Sequence, residues 1–424
     1  MGVQNPPRVA APSSGDLRRA CAEPYSAWLD AAAPDGWSGG SLLATEPSLI
    51  MRARRGVVEL SGRGTTTTCT ADPFDVLREL LAERRGRPGA AAGYLAYELK
   101  RHVEHLPETA SDDLALPDCY GCFYDDVLRF EAQLPTSRGA GFQPAFPASL
   151  ASTFTPEAYR AAVARVLGHI VAGDVYQVNL SQRFGVPVAG HAFSAYERLR
   201  AVNPAAFGAY LNFPELQVLS ASPELFLRLD AATRRIETRP IKGTRPRGRT
   251  PAEDTLMRDK LLASAKDRAE NVMIVDLERN DLGRVAEIGS VRVTELAALQ
   301  ELPAVHHLVS TVEATLRPDR DAIDLLRATF PGGSITGAPK IRAMRIIDAV
   351  EPVTRGVYTG AIGRFGYDGS LDLNIAIRTA VVAGGTAYVH AGGGIVADSD
   401  PEAEYQETLD KARAIIGALA TADE

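Results

Sequence analysis

Hydrophobic and polar residues alternate with a period of two in several stretches of this chain. In residues 175–184, VYQVNLSQRF, apolar side chains alternate with Gln177, Asn179 and Ser181. A period of two places successive side chains on opposite faces of a β-strand. The pattern therefore predicts a strand whose polar face can line a binding site. Shorter alternating runs between residues 41 and 62 predict further strands.

Other stretches repeat their apolar residues at helical spacing and begin with a capping residue. Thr155 is a typical N-cap, Pro156 fits the first helical position, and Gly173 ends the apolar repeat that follows. Residues 250–253, Thr-Pro-Ala-Glu, form a capping-box sequence that predicts a second helix. Pro401 opens a third helix, which carries an apolar stripe towards the C-terminus.

The order of these elements lacks a regular strand–helix–strand alternation. An α+β fold, with large antiparallel β-sheets flanked by helices, is therefore predicted. Segments rich in Pro, Gly and Ser suggest boundaries between parts of the chain. We expect a disordered tail over residues 1–17, an N-terminal β-rich subdomain over 18–134, a linker over 135–150 and the main domain over 151–424.

Composition and charge exclude several classes of function. The 424 residues are 45% hydrophobic and 23% charged, which is typical of a globular protein. A net charge of −7 argues against a nucleic-acid binder with a broad basic surface. No apolar run reaches membrane-spanning length, and no secretory signal is recognised, so a cytoplasmic protein is expected. Cys119 and Cys122 form a CxxC without a second pair, which favours two incidental thiols.

Residues 238–248, TRPIKGTRPRG, concentrate positive charge in an otherwise acidic chain. Arg239, Arg245 and Arg247 are suited to holding a small anion. Lys242 precedes a glycine where a strand should turn. It is either one more positive charge or a nucleophile.

Two acidic pairs are candidates for a metal site. Asp267 and Glu270 are three residues apart, as are Glu404 and Glu407, so each pair would share one face of a helix. If the pairs faced each other across a cleft, they could hold a hard cation such as Mg²⁺. Spacing alone favours the alternative, in which each pair is a solvated helix face.

Two glycine-rich segments and one glutamate complete the candidates. Residues 330–344, FPGGSITGAPKIRAM, depart from the phosphate-loop spacing, and residues 392–394 follow a predicted strand. Either segment could bring backbone close to a substrate, although a structural turn is the default. Glu224 lies among apolar residues, where partial burial would raise its pKa and let it donate a proton, whereas a lone glutamate is more often an ordinary surface residue.

Nine motifs in order resemble the chorismate-utilising enzymes from about residue 155 to the C-terminus. They are GDVYQVNLSQRF, SASPELFL, RPIKGTRPRG, KDRAENVMIVDLERNDLGR, VHHLVSTVEA, FPGGSITGAPKIRAM, YTGAIGRF, LNIAIRT and EYQETLDKARA. A weaker likeness extends upstream through AAAGYLAYELKRHVEHLPE. The resemblance implies chorismate as substrate and Mg²⁺ as cofactor. It makes Glu270 and Glu407 the direct magnesium ligands, supported through water by Asp267, where the family more often has Glu, and by Glu404.

The resemblance also assigns the remaining site residues. Lys242, Glu224 and His307 correspond to catalytic positions, with Glu224 as the acid–base group for the 4-hydroxyl. The positions that correspond to substrate-binding residues are Arg378, Tyr358, Ser334, Thr336, Gly337, Gly394 and Thr244.

Two positions distinguish the branches of the family. The resemblance implies that isochorismate and salicylate synthases activate water with a lysine where this chain has Gln177. Anthranilate synthases usually carry a small residue where Lys242 stands, whereas a lysine is typical of the aminodeoxychorismate synthase branch. In the mechanism proposed for that branch, the lysine adds at C2 of chorismate as the 4-hydroxyl departs. Ammonia then attacks C4 to give 4-amino-4-deoxychorismate.

A nucleophilic Lys242 would need a depressed pKa, which we expect from desolvation and from Arg239 and Arg245. Alternatively, Lys242 only pairs with a substrate carboxylate. The rival functions are anthranilate synthesis with release of pyruvate, and a non-catalytic chorismate-binding subunit.

The expected partner is a glutamine amidotransferase subunit that supplies ammonia, because no Gly-x-Cys-x-Gly glutaminase motif is recognised. The product would lead to 4-aminobenzoate and folate through another enzyme.

Overall fold

The computed structural model describes residues 10–131, 150–188, 190–302 and 305–420. Nine α-helices lie in these ranges: α1 Ser14–Ala22, α2 Pro73–Glu83, α3 Pro156–Val171, α4 Ala192–Val202, α5 Pro251–Ala263, α6 Ala265–Gly283, α7 Ala322–Thr329, α8 Lys340–Val350 and α9 Pro401–Ala420. Two 3-10 helices span Tyr97–His102 and Gly333–Ile335.

The same ranges contain 22 strands. The first twelve are β1 Ser26–Asp30, β2 Ser41–Ala44, β3 Leu49–Arg54, β4 Val57–Gly62, β5 Thr65–Thr70, β6 Ala90–Leu95, β7 Cys119–Tyr124, β8 Leu128–Phe130, β9 Ala151–Ser152, β10 Gln177–Pro187, β11 Phe207–Phe213 and β12 Leu216–Ser222. The others are β13 Leu225–Leu229, β14 Arg235–Arg239, β15 Ile241–Pro246, β16 Arg292–Glu301, β17 Val305–Thr315, β18 Gly337–Ala338, β19 Ala361–Gly366, β20 Leu371–Ile375, β21 Thr379–Ala383 and β22 Thr386–Ile395.

The strands form two large antiparallel sheets, which confirms the predicted α+β class. Sheet A has ten strands in the order β18-β10-β22-β21-β12-β11-β1-β2-β8, with β9 beside β10. Sheet B has twelve in the order β15-β17-β14-β13-β20-β19-β6-β7-β3-β4-β5, with β16 beside β17. A core that includes Leu29 and Leu211 of sheet A and Tyr94 and Ile362 of sheet B lies between them. Helices α1, α4 and α9 cover the outer face of sheet A, and α2, α6 and α7 cover that of sheet B.

The segment over residues 18–134, expected as an N-terminal β-rich subdomain, does not form a sheet of its own. Its strands are built into both sheets: Trp28 of β1 pairs with Tyr210 of β11, and Gly93 of β6 pairs with Gly363 of β19. Alternation along a strand predicts which side chains are buried, but it does not say which strand lies alongside. Pairing within one sheet removes the exposed edges that a free-standing subdomain would leave.

The expected tail over residues 1–17 is also too long. Helix α1 begins at Ser14, where Ser13 Oγ accepts a hydrogen bond from Asp16 N at 3.2 Å, and Leu17 is buried. Residues 1–9 and most of the expected linker, 132–149, lie outside the described residues.

The predicted caps are present: Thr155 Oγ1 accepts from Ala158 N, and Thr250 Oγ1 accepts from Glu253 N, both at 3.2 Å. Cys119 and Cys122 are buried free thiols on β7. Within the ranges the structure describes, no helix has the length and apolar character that crossing a membrane requires.

Sheet B permits no side chain at Gly93. A Cβ there would lie 1.8 Å from the backbone oxygen of Tyr120. We expect Gly93→Ala to lower the free energy of unfolding by about 1–3 kcal/mol or more, because the backbone of β7 would have to move. Gly168→Ala is the control, since Gly168 lies within α3 with nothing near its added Cβ; it should be neutral or stabilising by about 1 kcal/mol. Urea unfolding of both variants tests this, and equal effects would contradict it.

Candidate active site

The cation-rich segment 238–248 is held by acidic residues of α5 and α6. Arg247 Nε and Nη2 donate to the two carboxylate oxygens of Asp254 at 2.7 and 2.6 Å. Arg245 Nη2 donates to Asp267 Oδ2 at 2.9 Å. Both pairs fix β15 against the helices. The charge of Arg245 is therefore compensated by Asp267, contrary to the expectation that it bears directly on Lys242.

Lys242 points inward from β15. Its Nζ donates to Glu270 Oε1 at 2.8 Å and to the backbone oxygen of Ser334 at 3.1 Å, and its side chain is 12% exposed. Lys242 is thus ion-paired with a carboxylate, whereas the sequence suggests Arg239 and Arg245 as the charged neighbours that act on it. The bond joins β15, α6 and the 333–335 turn at one point.

Glu270 Oε1 also accepts a hydrogen bond from Gln177 Nε2 at 2.8 Å. Burial raises the pKa of this carboxyl, but the Lys242 ammonium and the Gln177 amide outweigh burial, so the pKa of Glu270 lies below its usual value. Glu270 is therefore ionised at neutral pH. Gln177 is fully buried at the start of β10, where its amide orients the carboxylate.

Glu224 is buried, and Ser334 Oγ donates to its Oε1 at 2.5 Å. Burial raises the pKa of Glu224 to about 7, against the opposing effects of the Ser334 hydroxyl and the Lys242 charge. A carboxyl with this pKa is substantially protonated at neutral pH and can act as a general acid. Lys242 and Glu224 thus both contact Ser334, Lys242 through the backbone oxygen and Glu224 through the hydroxyl.

His307 faces the same region from β17. Its Nδ1 lies 2.7 Å from Thr244 Oγ1, while Nε2 is buried without a hydrogen-bond partner. Burial and the charge of Arg378 lower the pKa of His307 to about 3, so the imidazole is neutral. A neutral ring with one unpartnered nitrogen can exchange a hydrogen bond with a bound ligand.

Arg378 and Tyr358 lie on two strained turns. Arg378 adopts φ +50° and Thr359, next to Tyr358, adopts φ +60°. For residues with a Cβ such backbone costs about 1–3 kcal/mol and is concentrated at functional sites. Arg378 Nη1 donates to Asn203 Oδ1 at 3.3 Å, and Tyr358 stacks on His390 with ring centroids 5.0 Å apart. A cavity of about 620 Å³, including solvent at its mouth, is lined by Arg378 together with His307.

Two glycines leave room for Gln177 and Glu270. Gly337 and Gly394 flank the start of β10, and a Cβ on either would lie 2.1 Å from an atom of Gln177. A Cβ on Gly394 would also lie 2.8 Å from Glu270 Oε1. The hydroxyl of Thr336 donates to the backbone oxygen of Gly332 at 2.9 Å. The backbone of Thr336 is also engaged, because its N–H donates to the backbone oxygen of Gly333 at 3.3 Å and its carbonyl oxygen accepts from Asn179 N at 2.8 Å.

The acids of α9 approach the neighbouring glycine of β22. A Cβ on Gly393 would lie 3.1 Å from Glu404 Oε2 and 3.3 Å from Glu407 Oε1. Glu407 pairs with Lys411 at 2.6 Å and is half-exposed, whereas buried Glu404 accepts from Ser399 Oγ at 2.6 Å. In the described ranges, no three His, Cys, Asp or Glu residues converge to hold a metal by themselves. Glu270 beside Gly394 and Glu407 beside Gly393 do suit Mg²⁺. This ion takes one or two protein carboxylates and completes its shell with water and substrate oxygens.

Sequence reasoning missed several residues of the site. Arg355 and Thr359 lie beside Tyr358, yet their letters carry no signal of burial or strain. Asn203, which holds Arg378, belongs to a stretch for which no role was predicted. Gln177, by contrast, was indicated both by the alternating VYQVNLSQRF pattern and by the resemblance, which places it where other branches carry a lysine.

A family model described as chorismate binding enzyme matches residues 26–417. The chain is 44% identical to aminodeoxychorismate synthase component 1 of Klebsiella aerogenes, covering 89% of this chain and 90% of that protein. It is 40% identical to anthranilate synthase component 1 of Thermus thermophilus, covering 97% and 96%. The crystal structure of anthranilate synthase component I from Streptococcus pneumoniae matches with a TM-score of 0.77 and 30% identity, covering 98% of this chain and 95% of that one.

The buried Glu224 should make stability depend on pH. Folding raises its pKa from 4.5 to about 7. The protonated carboxyl therefore contributes its full stabilisation of the folded state below pH 4.5, and this contribution is lost as pH rises through 7. Relative to Glu224→Gln, the wild-type free energy of unfolding should fall by about 2–3 kcal/mol between pH 5 and pH 8. Urea unfolding of both proteins at the two pH values measures this. A constant difference between them would contradict the raised pKa.

Proposed function

This chain belongs to the family of chorismate binding enzymes, and from that premise we propose that it converts chorismate and ammonia to 4-amino-4-deoxychorismate. The observation that carries the proposal is the position of Lys242. The primary amine of Lys242 lies inside the site and donates hydrogen bonds to Glu270 and to the backbone oxygen of Ser334. The hydroxyl of the same serine donates a hydrogen bond to Glu224. The similarity to aminodeoxychorismate synthase component 1 supports the same assignment.

In the first step the Lys242 amine attacks C2 of the ring. The N–C2 bond forms, the two ring double bonds shift, and the C4–O bond breaks. Glu224 supplies the proton with which the hydroxyl leaves as water. Its pKa of about 7 makes it able both to give this proton and to take one back.

In the second step ammonia attacks C4 and the double bonds shift in the reverse direction. The C2–N bond breaks and Lys242 is released, so the enolpyruvyl ether remains on the product. The Glu224 carboxylate takes the proton that the new C4 amine sheds. Both the amine and the acid are then restored for the next turnover.

Lys242 can attack only as the neutral amine, because the ammonium that pairs with Glu270 has no free lone pair and must first give up a proton. In this proposal, the ion pair of Lys242 with Glu270 is the resting arrangement of these two residues. Substrate binding must separate them, and Gln177 continues to orient the Glu270 carboxylate when the amine leaves.

The two carboxylates of chorismate would bind on opposite sides of the site. Arg378 is partly buried, and its described polar contact is with a neutral amide, so its guanidinium retains donors for an anion. Glu270 and Glu407 would hold Mg²⁺, with Asp267 and Glu404 in support. When bound, the ion would neutralise the ring carboxylate.

A partner that supplies ammonia is part of the proposal. The similar Klebsiella protein is named component 1, which implies a second component. We propose a glutamine amidotransferase in this role. The alternative activity, formation of anthranilate and pyruvate, is favoured by the similarity to the Thermus protein, and the reaction product decides between the two.

Lys242→Ala should reduce C4 amination by about 100-fold or more, or redirect ammonia to C2, because the covalent nucleophile is gone. Lys260→Ala, an exposed lysine of α5, is the control and should retain activity. Products from chorismate, Mg²⁺ and ammonium are identified by mass spectrometry, and intact-protein mass tests for an adduct on the wild type. Anthranilate and pyruvate from the wild type would refute the proposed function. An unchanged rate and product in Lys242→Ala would refute the nucleophile.

Glu407→Gln should weaken Mg²⁺ binding by about 10- to 100-fold, because it removes one carboxylate charge from the site. Glu402→Gln is the control, since Glu402 lies on the same helix but bonds to Arg160. Calorimetric titration with Mg²⁺ in the presence of chorismate gives the affinity without turnover. Equal affinities in the two variants would place the ion elsewhere.

A further inference from the structure

Arg355, which follows α8, uses every N–H group of its guanidinium inside the protein. Nε and Nη2 donate to Glu351 Oε2 and Oε1 at 2.8 and 2.7 Å. Nη2 also donates to the backbone oxygen of Asn179 at 2.8 Å. Nη1 donates to the backbone oxygen of Ile335 at 3.0 Å and to Thr359 Oγ1 at 3.3 Å. The side chain is 1% exposed, so no donor remains for solvent or for a ligand.

The acceptors of Arg355 adjoin three parts of the substrate site. Ile335 lies between Ser334 and Thr336 in the 333–335 turn. Asn179 lies on β10, two residues after Gln177, and its own N–H donates to the backbone oxygen of Thr336 at 2.8 Å. Arg355 thus links the 333–335 turn to β10.

The third acceptor, Thr359, holds Tyr358. Thr359 is β-branched and adopts φ +60°, a conformation that persists only where its surroundings impose it. Its N–H donates to the backbone oxygen of Ala376 at 2.8 Å. Its hydroxyl donates to the backbone oxygen of Tyr358 at 2.6 Å. Arg355 adds a hydrogen bond to this hydroxyl and so supports the strained turn.

The ion pair is itself anchored from both sides. Glu351 Oε1 accepts from the N–H and the hydroxyl of Ser181 at 2.8 and 2.9 Å. On the other side, the carboxylate of Glu98 accepts hydrogen bonds from the backbone N–H groups of Arg355 and Gly356 at 3.0 and 2.9 Å. The guanidinium also lies 4.8 Å from the ring centroid of Tyr97. These contacts leave Arg355 a single position.

We propose that Arg355 is a positioning residue for the substrate, which fixes the 333–335 turn, β10 and Tyr358 in the geometry that binds the diacid. A lysine could keep the charge, but its single ammonium could not make five planar hydrogen bonds in these directions. Small displacements of substrate-holding groups are enough to reduce rates strongly. The inference rests on the proposed function for the identity of the ligand, chorismate.

Arg355→Lys should raise both the Kd and the KM for chorismate by about 10- to 100-fold. Arg228→Lys is the matched control, because Arg228 also pairs with a buried carboxylate, Asp372, and donates to the backbone oxygen of Gly36, and none of its described polar partners is a residue assigned to the substrate. Its variant should lower Tm and leave Kd and KM unchanged. Chorismate binding is measured by calorimetry without ammonia, KM by steady-state kinetics, and Tm for each protein.

Thr359→Val is the milder variant and decides the question if Arg355→Lys does not fold. It keeps the ion pair and the shape of the side chain but removes one acceptor, so Kd should rise by about 3- to 10-fold. A loss of Tm in the Arg355 or Thr359 variant with unchanged Kd and KM would show a purely structural role and overturn the proposal. If the wild type binds chorismate but forms another product, only the proposed function fails, because the Kd comparison still tests the positioning.

Discussion

The proposed chemistry depends on the hydrogen bond between Lys242 and Glu270. Both groups are largely buried, and a buried charge without a partner is strongly destabilising. The ammonium and the carboxylate compensate each other in the resting state, with Gln177 adding a neutral donor to the same oxygen. A ligand that separates them must provide compensation of its own. The negative charge of the proposed dicarboxylate substrate, together with the proposed Mg²⁺, would meet that requirement and would link substrate binding to release of the amine.

The arginines around Lys242 show how a local charge pattern can mislead. From the sequence, Arg239, Arg245 and Arg247 look equally able to hold an anion. In the structure Arg245 and Arg247 pair with Asp267 and Asp254, while Arg239 lines the cavity beside Arg378. Asp267 lies 22 residues after Arg245 and Asp254 lies 7 residues after Arg247, and only the packing of α5 and α6 against β15 brings them together.

Features that depend on neighbouring residues could be predicted, and those that depend on distant pairing could not. The caps at Thr155 and Thr250, the strand β10 and the burial of Glu224 all follow from the letters around them. The position of β6 between β7 and β19 does not, because alternation within a strand carries no information about its neighbours. The inward turn of Lys242 was expected from family resemblance, whereas the support that Arg355 gives to Thr359 required the three-dimensional arrangement.

The interleaving of early and late strands has a consequence for how the protein is made. Glu98 is joined to Arg355, β1 pairs with β11, and the carboxylates of α9 come from the last part of the chain. Contacts this far apart in sequence form slowly, and they cannot form until the later partner has left the ribosome. The first hundred or so residues must therefore wait with unpaired strand edges during translation. Such edges invite aggregation, which makes this interval the vulnerable stage in the synthesis of the enzyme.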